Sequence, residues 1–537
     1  MKKLLYVTPV ILIVAFFTYK YLGKRVEPIS YSGIERDILV LASDSLQGRA
    51  PFSVGEKRSI AYLEKRMKEI GLKPAFGDSY LQPVPLVEIC TQLPQELTIK
   101  NQRYIAGTDY TAFSTVLADR VSVENSPIVF VGFGIDAPEY NWNDFNNQDF
   151  TGKTIVVLVN DPGYYTDDST LFCGNAMTYY GRWRYKLEEA ERKGAAACLI
   201  VHDEGGAGYP WSVSSVRTNK PDYYLNNESL ANQQCKLKGW ISADAARRLF
   251  ASCGKNFDML KYAAMFRTFK PVALGASLSI EVQNTWKEDV SYNVAGYFEG
   301  TVRPHEAVIY SAHWDHLGVG AAVNGDSIYN GASDNAAAMA WMLSIAQAFK
   351  VAEPTERSVM FFAPTAEEAG MLGSEYFVAN PPFAHRNMAA VFNSDVILFL
   401  GKFADVTITG YGHSQLDSLV EVEAKKQGRY ICSDPNPANG MFFRSDQLPF
   451  LKAGVPAMFA KGYSHAVSLG KDSTQLAIDA YWRNIYHKTT DNYIPARDNL
   501  QGVVDDAVLF FNVGYGIAND TRFPEWNRSS EFYVERN

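Results

Sequence analysis

The sequence predicts an α/β fold in which helices flank a mainly parallel mixed sheet, with a β-rich segment inserted into it. In the C-terminal half, short apolar strands alternate with helical segments, a rhythm typical of parallel sheets covered on both faces. Between residues 107 and 271, short apolar strands are instead separated by polar and aromatic loops. The 537 residues, 47% hydrophobic and 20% charged, can form more than one core and indicate a globular chain.

These changes of character divide the chain into four segments. Residues 1–25 form an export signal or membrane anchor, and 30–106 the first part of the main domain. Residues 107–271 form the insertion, and 272–537 the second part of the main domain, which carries the candidate metal ligands.

The N-terminus has the pattern of an export signal. Lys2 and Lys3 precede an apolar run, 4–17, in which no charge occurs. No small-x-small cleavage site follows, because bulky Phe16 and Phe17 stand where it would lie. The run is also shorter than the roughly 20 residues of a comfortable membrane span. We expect a protein that is exported, either periplasmic or extracellular after cleavage or anchored to the membrane by this segment alone.

Apolar spacing predicts the remaining elements. Two helices with a break near Gly48 to Pro51 are expected within Ser32–Lys73, followed by an extended stretch over Leu81–Thr98. In the insertion we expect strands at Ile128–Val131, Thr154–Val159 and Ala197–Val201 and a helix at Arg184–Lys193. In the last segment we expect strands at Ala307–Tyr310, Ser358–Phe362 and Ala389–Phe392 and helices at Ala336–Phe349 and Met371–Val378.

Charge and cysteine content exclude several classes of function. The net charge is −8, and no basic run or stripe suggests a nucleic-acid partner. The six cysteines are widely spread without a CxxC, which argues against a thiolate zinc site or a redox motif. Disulfide pairing within 173–253 stays open.

Imidazole and carboxylate groups occur in five short segments, several of them directly after strands or at helix starts. The segments are Ser311–His316, Gly331–Asn335, Thr365–Gly370, Asn393–Asp395 and Tyr486–Lys488. In parallel sheets, functional sites gather at the carboxyl ends of strands. Histidine together with aspartate and glutamate suits zinc or a similar divalent ion with open coordination positions.

The order of these motifs resembles that of a known family. His-x-Asp, Gly-Ala-x-Asp-Asn, Glu-Glu-x-Gly-x-x-Gly-Ser, Asn-x-Asp and Tyr-His follow one another as in the co-catalytic zinc aminopeptidases, whose relatives include bacterial leucyl aminopeptidases and glutamate carboxypeptidase. The resemblance covers about 40–99 and 278–537, including Ala42–Ala50 and Ser445–Phe450. It implies the zinc exopeptidase fold, and the insertion resembles the protease-associated domain that many members carry.

The resemblance also implies a site for two zinc ions. Its ligands would be Asp334 between both ions, His487 and Glu368 on one ion, and His313 and Asp395 on the other. Glu367 resembles the general base and Asp315 the carboxylate that orients a ligating imidazole. Two metals about 3.5–4 Å apart can activate one water and polarise a scissile carbonyl. The base must not itself be a ligand, since it carries the proton to the leaving amine.

Some residues depart from the family pattern or fall outside it. Ala336 and the two alanines after it stand where members often carry a Ser-Gly step, which removes no ligand. His316 is an extra imidazole that either contacts substrate or caps a turn. His413 and His465 fall in no matched motif, and Asp446 lies in a matched segment without a ligand role.

The leading interpretation is an aminopeptidase that hydrolyses N-terminal residues of peptides outside the cytoplasm. A glutaminyl-cyclase-like transferase would use one zinc, and the complete ligand set for two disfavours it. A non-catalytic, receptor-like relative would lack ligands, and none is missing. A carboxypeptidase with acidic preference would need an arginine cluster near the metals, where Arg444 is the only obvious arginine in the late motifs. The preferred side chain, the metal in the cell and the oligomeric state do not follow from the sequence.

Overall fold

A computed structural model describes residues 29–166 and 168–535. The predicted signal or anchor, 1–25, lies outside these residues. Among the helices that are described, none is both long and apolar enough to cross a membrane. The helices are α1 (Tyr31–Leu41), α2 (Val54–Ile70), α3 (Pro162–Tyr165), α4 (Trp183–Arg192), α5 (Glu204–Ala207), α6 (Trp211–Ser215), α7 (Glu228–Ala231), α8 (Ala243–Ser252), α9 (Phe257–Ala263), α10 (Ala337–Val351), α11 (Leu372–Ala379), α12 (Leu416–Lys426), α13 (Gln447–Lys452), α14 (Gly470–Asn484) and α15 (Gln501–Asn519).

Most strands join one large, continuous sheet. The strands are β1 (Lys73–Pro74), β2 (Leu81–Gln92), β3 (Glu96–Ile99), β4 (Gln102–Ile105), β5 (Tyr110–Phe113), β6 (Arg120–Phe130), β7 (Asp136–Ala137), β8 (Trp142–Asn143), β9 (Thr154–Leu158), β10 (Ala197–His202), β11 (Pro221–Leu225), β12 (Leu237–Ser242), β13 (Val272–Phe298), β14 (Arg303–Ser311), β15 (Gly318–Val323), β16 (Asp326–Tyr329), β17 (Arg357–Ala363), β18 (Met388–Asn393), β19 (Asp405–Thr409), β20 (Tyr430–Ser433) and β21 (Ala457–Lys461).

The part of the sheet that carries the candidate ligands is mainly parallel. Strand β14 pairs in parallel with β17 and β18, and β18 pairs in parallel with β21. Strand β13 pairs antiparallel with β17, and β19 pairs antiparallel with β21. Val308 and Tyr310 of β14 pack against α1, α2, α10 and α15, whereas Ala307 and Ile309 face the cluster that includes α11 and α13. Because alternate residues of a strand point to opposite faces, helices cover both sides. The predicted α/β fold is confirmed.

The N-terminal helices form as their sequence predicts. Helix α2 begins at an N-cap serine, Ser53, whose Oγ accepts the N–H of Glu56. It ends at Gly71, whose φ of 91° lies in the left-handed region that favours glycine. Between α1 and α2 the chain turns through Asp44–Arg49, where the break was expected.

The insertion contains more helix than its β-rich sequence pattern suggests. Strands β6, β9, β10 and β12 run parallel to one another, with β5 antiparallel at the edge. Parallel neighbours need crossover connections, and α4 supplies the one between β9 and β10. The long strand β13 pairs with β6 at its start and with β17 at its end. It therefore joins the sheet of the insertion to that of the main domain, and the boundary at 271 stays a prediction.

Candidate metal centre

Three of the five ligand segments begin where neighbouring parallel strands end. His313 follows β14, Glu367 and Glu368 follow β17, and Asp395 follows β18. The carboxyl ends of these strands meet at one edge of the sheet, so the three loops converge. The fold thus brings together side chains that are more than 80 residues apart in sequence.

The other two ligand segments reach the same point from outside the sheet. Asp334 lies in the turn before α10 and is 2% exposed. The N–H groups of Ser333 and Asp334 donate to the Asp491 carboxylate at 3.0 and 3.1 Å, which fixes the turn. His487 follows α14, and its ring stacks on that of Tyr486 with centroids 3.8 Å apart.

The predicted ligands form two groups that share Asp334. In one group His487 Nε2 lies 3.1 Å from Asp334 Oδ2 and 3.0 Å from Glu368 Oε2. In the other, His313 Nε2 lies 3.5 Å from Asp334 Oδ1 and 3.2 Å from Asp395 Oδ1. Oxygen and nitrogen ligands about 2.0–2.2 Å from a tetrahedral zinc would lie roughly 3.3–3.6 Å from one another. The donor types and their spacing therefore fit two zinc ions.

The electrostatics of the site follow from burial and from these close contacts. Burial alone would lower the pKa of both imidazoles, but Glu368 and Asp334 raise that of His487 to about 10, and Asp395 raises that of His313 well above its usual range. Burial alone would raise the pKa of Glu368, but His487 and His316 lower it well below its usual range. Each group therefore favours a cation beside its carboxylates, the charge that a divalent ion would supply.

Glu367 lies beside both groups without belonging to either. Its Oε2 is 3.9 Å from His313 Nε2, and burial raises the pKa of its carboxyl well above the usual range. The Asp315 carboxylate accepts the N–H of Glu367 at 3.0 Å and that of Glu368 at 3.3 Å. Its Oδ1 lies 3.7 Å from His313 Nδ1, which is 3.1 Å from the Asp315 carbonyl. The orienting role of Asp315 stays a prediction, and its visible contacts hold the loop of the two glutamates.

Of the additional histidines, only His316 joins the site among the described residues. Its Nδ1 lies 2.6 Å from Glu368 Oε1 and 4.0 Å from Asp334 Oδ1, within reach of the His487 group. His413 stacks on Phe442 at 4.6 Å, and the His465 ring lies 3.0 Å from the Tyr430 hydroxyl. All six cysteines are free thiols.

Two residues that support the site were given no role by sequence reasoning: Asn293 lies in no quoted motif, and Asp446 lies in a matched segment without a ligand role. Asn293 joins the ends of the Glu367 loop, since its Oδ1 accepts the N–H of Thr365 at 3.0 Å and its Nδ2 donates to the Gly373 carbonyl at 2.8 Å. Asp446, buried, accepts the Ser374 hydroxyl at 2.6 Å, and burial raises the pKa of Asp446 to about 7. These contacts act on main-chain groups or on single hydroxyls, which leave no ligand-like signature.

Gly373 provides a test of this loop. A Cβ there would overlap Asn293 Oδ1 and the Thr365 carbonyl oxygen and would lie 2.7 Å from the Thr365 nitrogen. We expect Gly373→Ala to displace the loop, lower the free energy of unfolding by about 1–3 kcal/mol and reduce activity. Chemical denaturation and initial rates measure this. Gly516→Ala, in α15 with no atom within 4 Å of the added methyl, is the matched control and should be neutral or slightly stabilising.

Arg49 connects the entry segment to two ligand loops. The side chain is 1% exposed. Its Nε donates to the Trp314 carbonyl at 2.8 Å, and its Nη atoms donate to the carbonyls of Asn330 at 2.6 Å and Gly331 at 3.0 Å. Burial lowers the pKa of Arg49 to about 10, so it stays charged at neutral pH. One guanidinium thus holds the His313 loop against the turn that carries Asp334.

Replacing Arg49 by lysine is expected to lower the free energy of unfolding by at least about 2 kcal/mol. A single ammonium cannot reach carbonyls on three sides, and each buried acceptor left unpaired costs about 1–3 kcal/mol. The exposed Arg58, which donates to the Ser45 carbonyl, provides the control Arg58→Lys. Equal stability of the two variants, measured by denaturant unfolding of the metal-free protein, would contradict the role given to Arg49.

The metal centre opens into a large cavity. Glu367, Glu368 and His487 line one wall, and the cavity volume is about 1300 Å³. Residues of the insertion, among them Trp183 and Tyr223, line another wall. Arg184 of α4 donates to the Gly370 carbonyl at 2.7 Å and pairs with Glu375 at 3.1 Å, which ties the insertion to the Glu367 loop.

The described residues thus form an α/β protein whose strand ends carry imidazole and carboxylate groups in an arrangement that suits divalent cations. Residues 293–510, which contain all the predicted ligands, match the model of Peptidase family M28. This part of the chain, less than half of the whole, is therefore similar to a family of peptidases. Its sequence matches none of the curated proteins with which it was compared.

Solved structures match the chain along most of its length. The aminopeptidase from Aneurinibacillus sp. strain AM-1 matches with a TM-score of 0.53 at 15% identity, covering 93% of this chain and 96% of that chain. BSAP, a zinc aminopeptidase from Bacillus subtilis, matches with a TM-score of 0.45 at 16% identity, covering 95% of this chain and 98% of that chain. A Peptidase M28 precursor from Shewanella amazonensis SB2B gives 0.44 at 15% identity, covering 92% and 94%. At these identities the first match bears on the fold alone.

Proposed function

We propose that this protein is a zinc peptidase, specifically an aminopeptidase that uses two zinc ions to remove N-terminal residues from peptides. The observation that carries the proposal is the position of Asp334, which both ligand groups share, with the free carboxylate of Glu367 beside them. The fold that the chain shares with the aminopeptidase from Aneurinibacillus sp. strain AM-1 supports this direction of cleavage.

The chemistry divides between the metals and the chain. Bound zinc ions would supply Lewis acidity toward a water and toward the scissile carbonyl. Glu367 accepts the proton of the water and passes it to the leaving amine, a task that suits a buried carboxylate of raised pKa outside the ligand set. Asp315 keeps Glu367 in place through the main-chain N–H.

The competing functions differ in what they require. A glutaminyl-cyclase-like transferase would need ligands for one metal, whereas the chain has a second group in His313 and Asp395. A receptor-like protein without catalysis would not need the complete set of metal ligands. A carboxypeptidase with acidic preference gains support from the arginines of the cavity wall, because Arg182 of the insertion lies there with Arg444.

The test uses short peptides with free or acetylated N-termini and the zinc-loaded protein. Release of the first residue from free peptides only, with about two zinc ions per chain, is the expected result. Equal cleavage of acetylated peptides from the C-terminal end would overturn the aminopeptidase proposal in favour of a carboxypeptidase. One ion per chain would overturn the two-metal part.

We also propose that the protein acts outside the cytoplasm, on the strength of the charged and apolar pattern of residues 1–17. Fractionation of cells that express the full chain is expected to find it outside the cytoplasm. Washing with salt and with detergent then separates a released form from an anchored one. Recovery of the whole protein in the cytoplasm would contradict export.

A further inference from the structure

Two arginines in the wall of the cavity lack a counter-charge. Arg182 is 7% exposed, and its Nε has no hydrogen-bond partner among the described residues. The Nε of Arg444 is also buried and unpartnered, while its Nη2 donates to the Asn439 carbonyl at 2.7 Å. A buried charge without a partner is costly, and buried arginines are normally paired. Neither guanidinium charge is compensated by a carboxylate among the described residues.

The two side chains lie close to each other. Burial, and after it the charge of Arg444, lower the pKa of Arg182 to about 9 against the raising effect of the Tyr209 hydroxyl, and Arg182 is still charged at neutral pH. Gly440 packs against Arg182, since a Cβ on it would lie 3.2 Å from Arg182 Cδ. The Arg444 guanidinium lies 5.9 Å from the Tyr209 ring centroid. Arg182 of the insertion and Arg444 of the main domain thus form one cationic corner of the cavity wall.

This corner belongs to the same cavity as the metal centre. Burial lowers the pKa of Arg444, and the nearby hydroxyls of Tyr209 and of Tyr486, whose ring stacks on His487, oppose this shift. Two carboxylates elsewhere in the wall have cations of their own: Glu375 pairs with Arg184 at 3.1 Å, and Glu188 with Lys452 at 3.0 Å. They leave the charge of the corner uncompensated.

We propose that Arg182 and Arg444 form a subsite for a carboxylate of the peptide substrate, either its C-terminus or an acidic side chain. The inference rests on the proposed peptidase function and adds a substrate class to it. Planar guanidinium groups bind carboxylates with paired hydrogen bonds. A cavity of about 1300 Å³ is larger than the usual small-molecule site of roughly 300–1,000 Å³ and has room for a short peptide. The subsite favours short or acidic peptides over neutral blocked ones.

The experiment compares three tripeptide substrates: a neutral free acid, its C-terminal amide, and an amide with glutamate at the second or third position. Each is tested with the unchanged protein and with Arg182→Gln and Arg444→Gln. We expect both variants to lower kcat/KM for carboxylate-bearing peptides by about 10- to 100-fold, mainly through KM, with the neutral amide unchanged. Arg182→Lys, which keeps the charge, should recover part of the loss.

Arg217→Gln is the matched control, because Arg217 lines the same cavity but is exposed and already pairs with Asp222 at 3.3 Å. This variant also removes one positive charge from the cavity, and it should leave the preference for carboxylate-bearing peptides unchanged. A loss of kcat/KM in the Arg182→Gln and Arg444→Gln variants on the neutral free acid identifies the C-terminal carboxylate as the ligand. A loss on the glutamate-containing amide identifies an acidic side chain. Equal loss on all three substrates, or no preference for a carboxylate in the unchanged protein, would overturn the subsite.

Calorimetric binding of the free acid and of the amide to the zinc-loaded protein separates this inference from the proposed function. Tighter binding of the acid that disappears in Arg182→Gln supports the subsite even if no peptide is hydrolysed, in which case only the proposed function fails. Equal affinity for acid and amide overturns the subsite whether or not peptides are cleaved.

Discussion

Changing Glu367 to glutamine is expected to lower kcat by about 10²- to 10⁴-fold while the zinc content and KM stay close to those of the unchanged protein. The Glu367 carboxylate belongs to neither ligand group, so its loss removes no ligand. Glutamine keeps the size of the side chain, and the main-chain N–H still donates to Asp315. What disappears is the ability to accept a proton. Steady-state kinetics and elemental analysis of the same preparation measure the two effects.

Glu368 is the matched control for this prediction, because it is the next residue and lies in the same loop. Its Oε2 is 3.0 Å from His487 Nε2, and its Oε1 is 2.6 Å from His316 Nδ1. Glu368→Gln should therefore reduce zinc content as well as activity. If Glu367→Gln also lost zinc, Glu367 would be a ligand. A fall in kcat of less than 10-fold would place the base elsewhere.

The arrangement of the ligands could be predicted because it follows from strand order. His313, Glu368 and Asp395 each follow a strand of the same parallel sheet, and the ends of such strands meet at one edge. The apolar strands are visible in the sequence, so the polar residues that follow them could be assigned to one site. Asp334 and His487 do not follow strands, and only the order of motifs connected them to it.

The supporting contacts could not be predicted, for a physical reason. Asp491 and Asn293 act on main-chain groups of distant loops. Any residue presents the same main-chain N–H, so nothing in the sequence marks the partner. Arg49 was part of a recognised segment, but its four acceptors are carbonyl groups whose positions depend on the tertiary fold.

The insertion shows a second limit of sequence reasoning. The three strands predicted in it are present among several others, but their parallel order depends on connections that short apolar runs do not specify. Arg182 precedes a predicted helix and resembles an ordinary charged surface residue in the sequence. Only the approach of Arg444 from more than 260 residues away places it in the wall of the cavity.

Changing Asp334 to alanine is expected to abolish binding of both zinc ions and to reduce activity to background. One oxygen of Asp334 lies 3.1 Å from His487 Nε2 and the other 3.5 Å from His313 Nε2, so each group loses a ligand. Without bound cations to screen their charges, the remaining carboxylates of Glu368 and Asp395 would also repel each other. Elemental analysis after dialysis, together with peptide hydrolysis, gives the result.

Variants that remove a ligand from just one of the two groups make this prediction specific. Asp395→Ala removes a ligand from the His313 group, and His487→Ala removes one from the other group, so each should retain about one ion per chain. Asp326→Ala, at an exposed position before the Asp334 turn, should retain both. Because only a shared ligand affects both ions, the contrast between Asp334→Ala and the single-group variants measures the number of metals directly. If Asp334→Ala kept one ion with the affinity of the unchanged protein, the two groups would not share this carboxylate, and the two-metal proposal would fail.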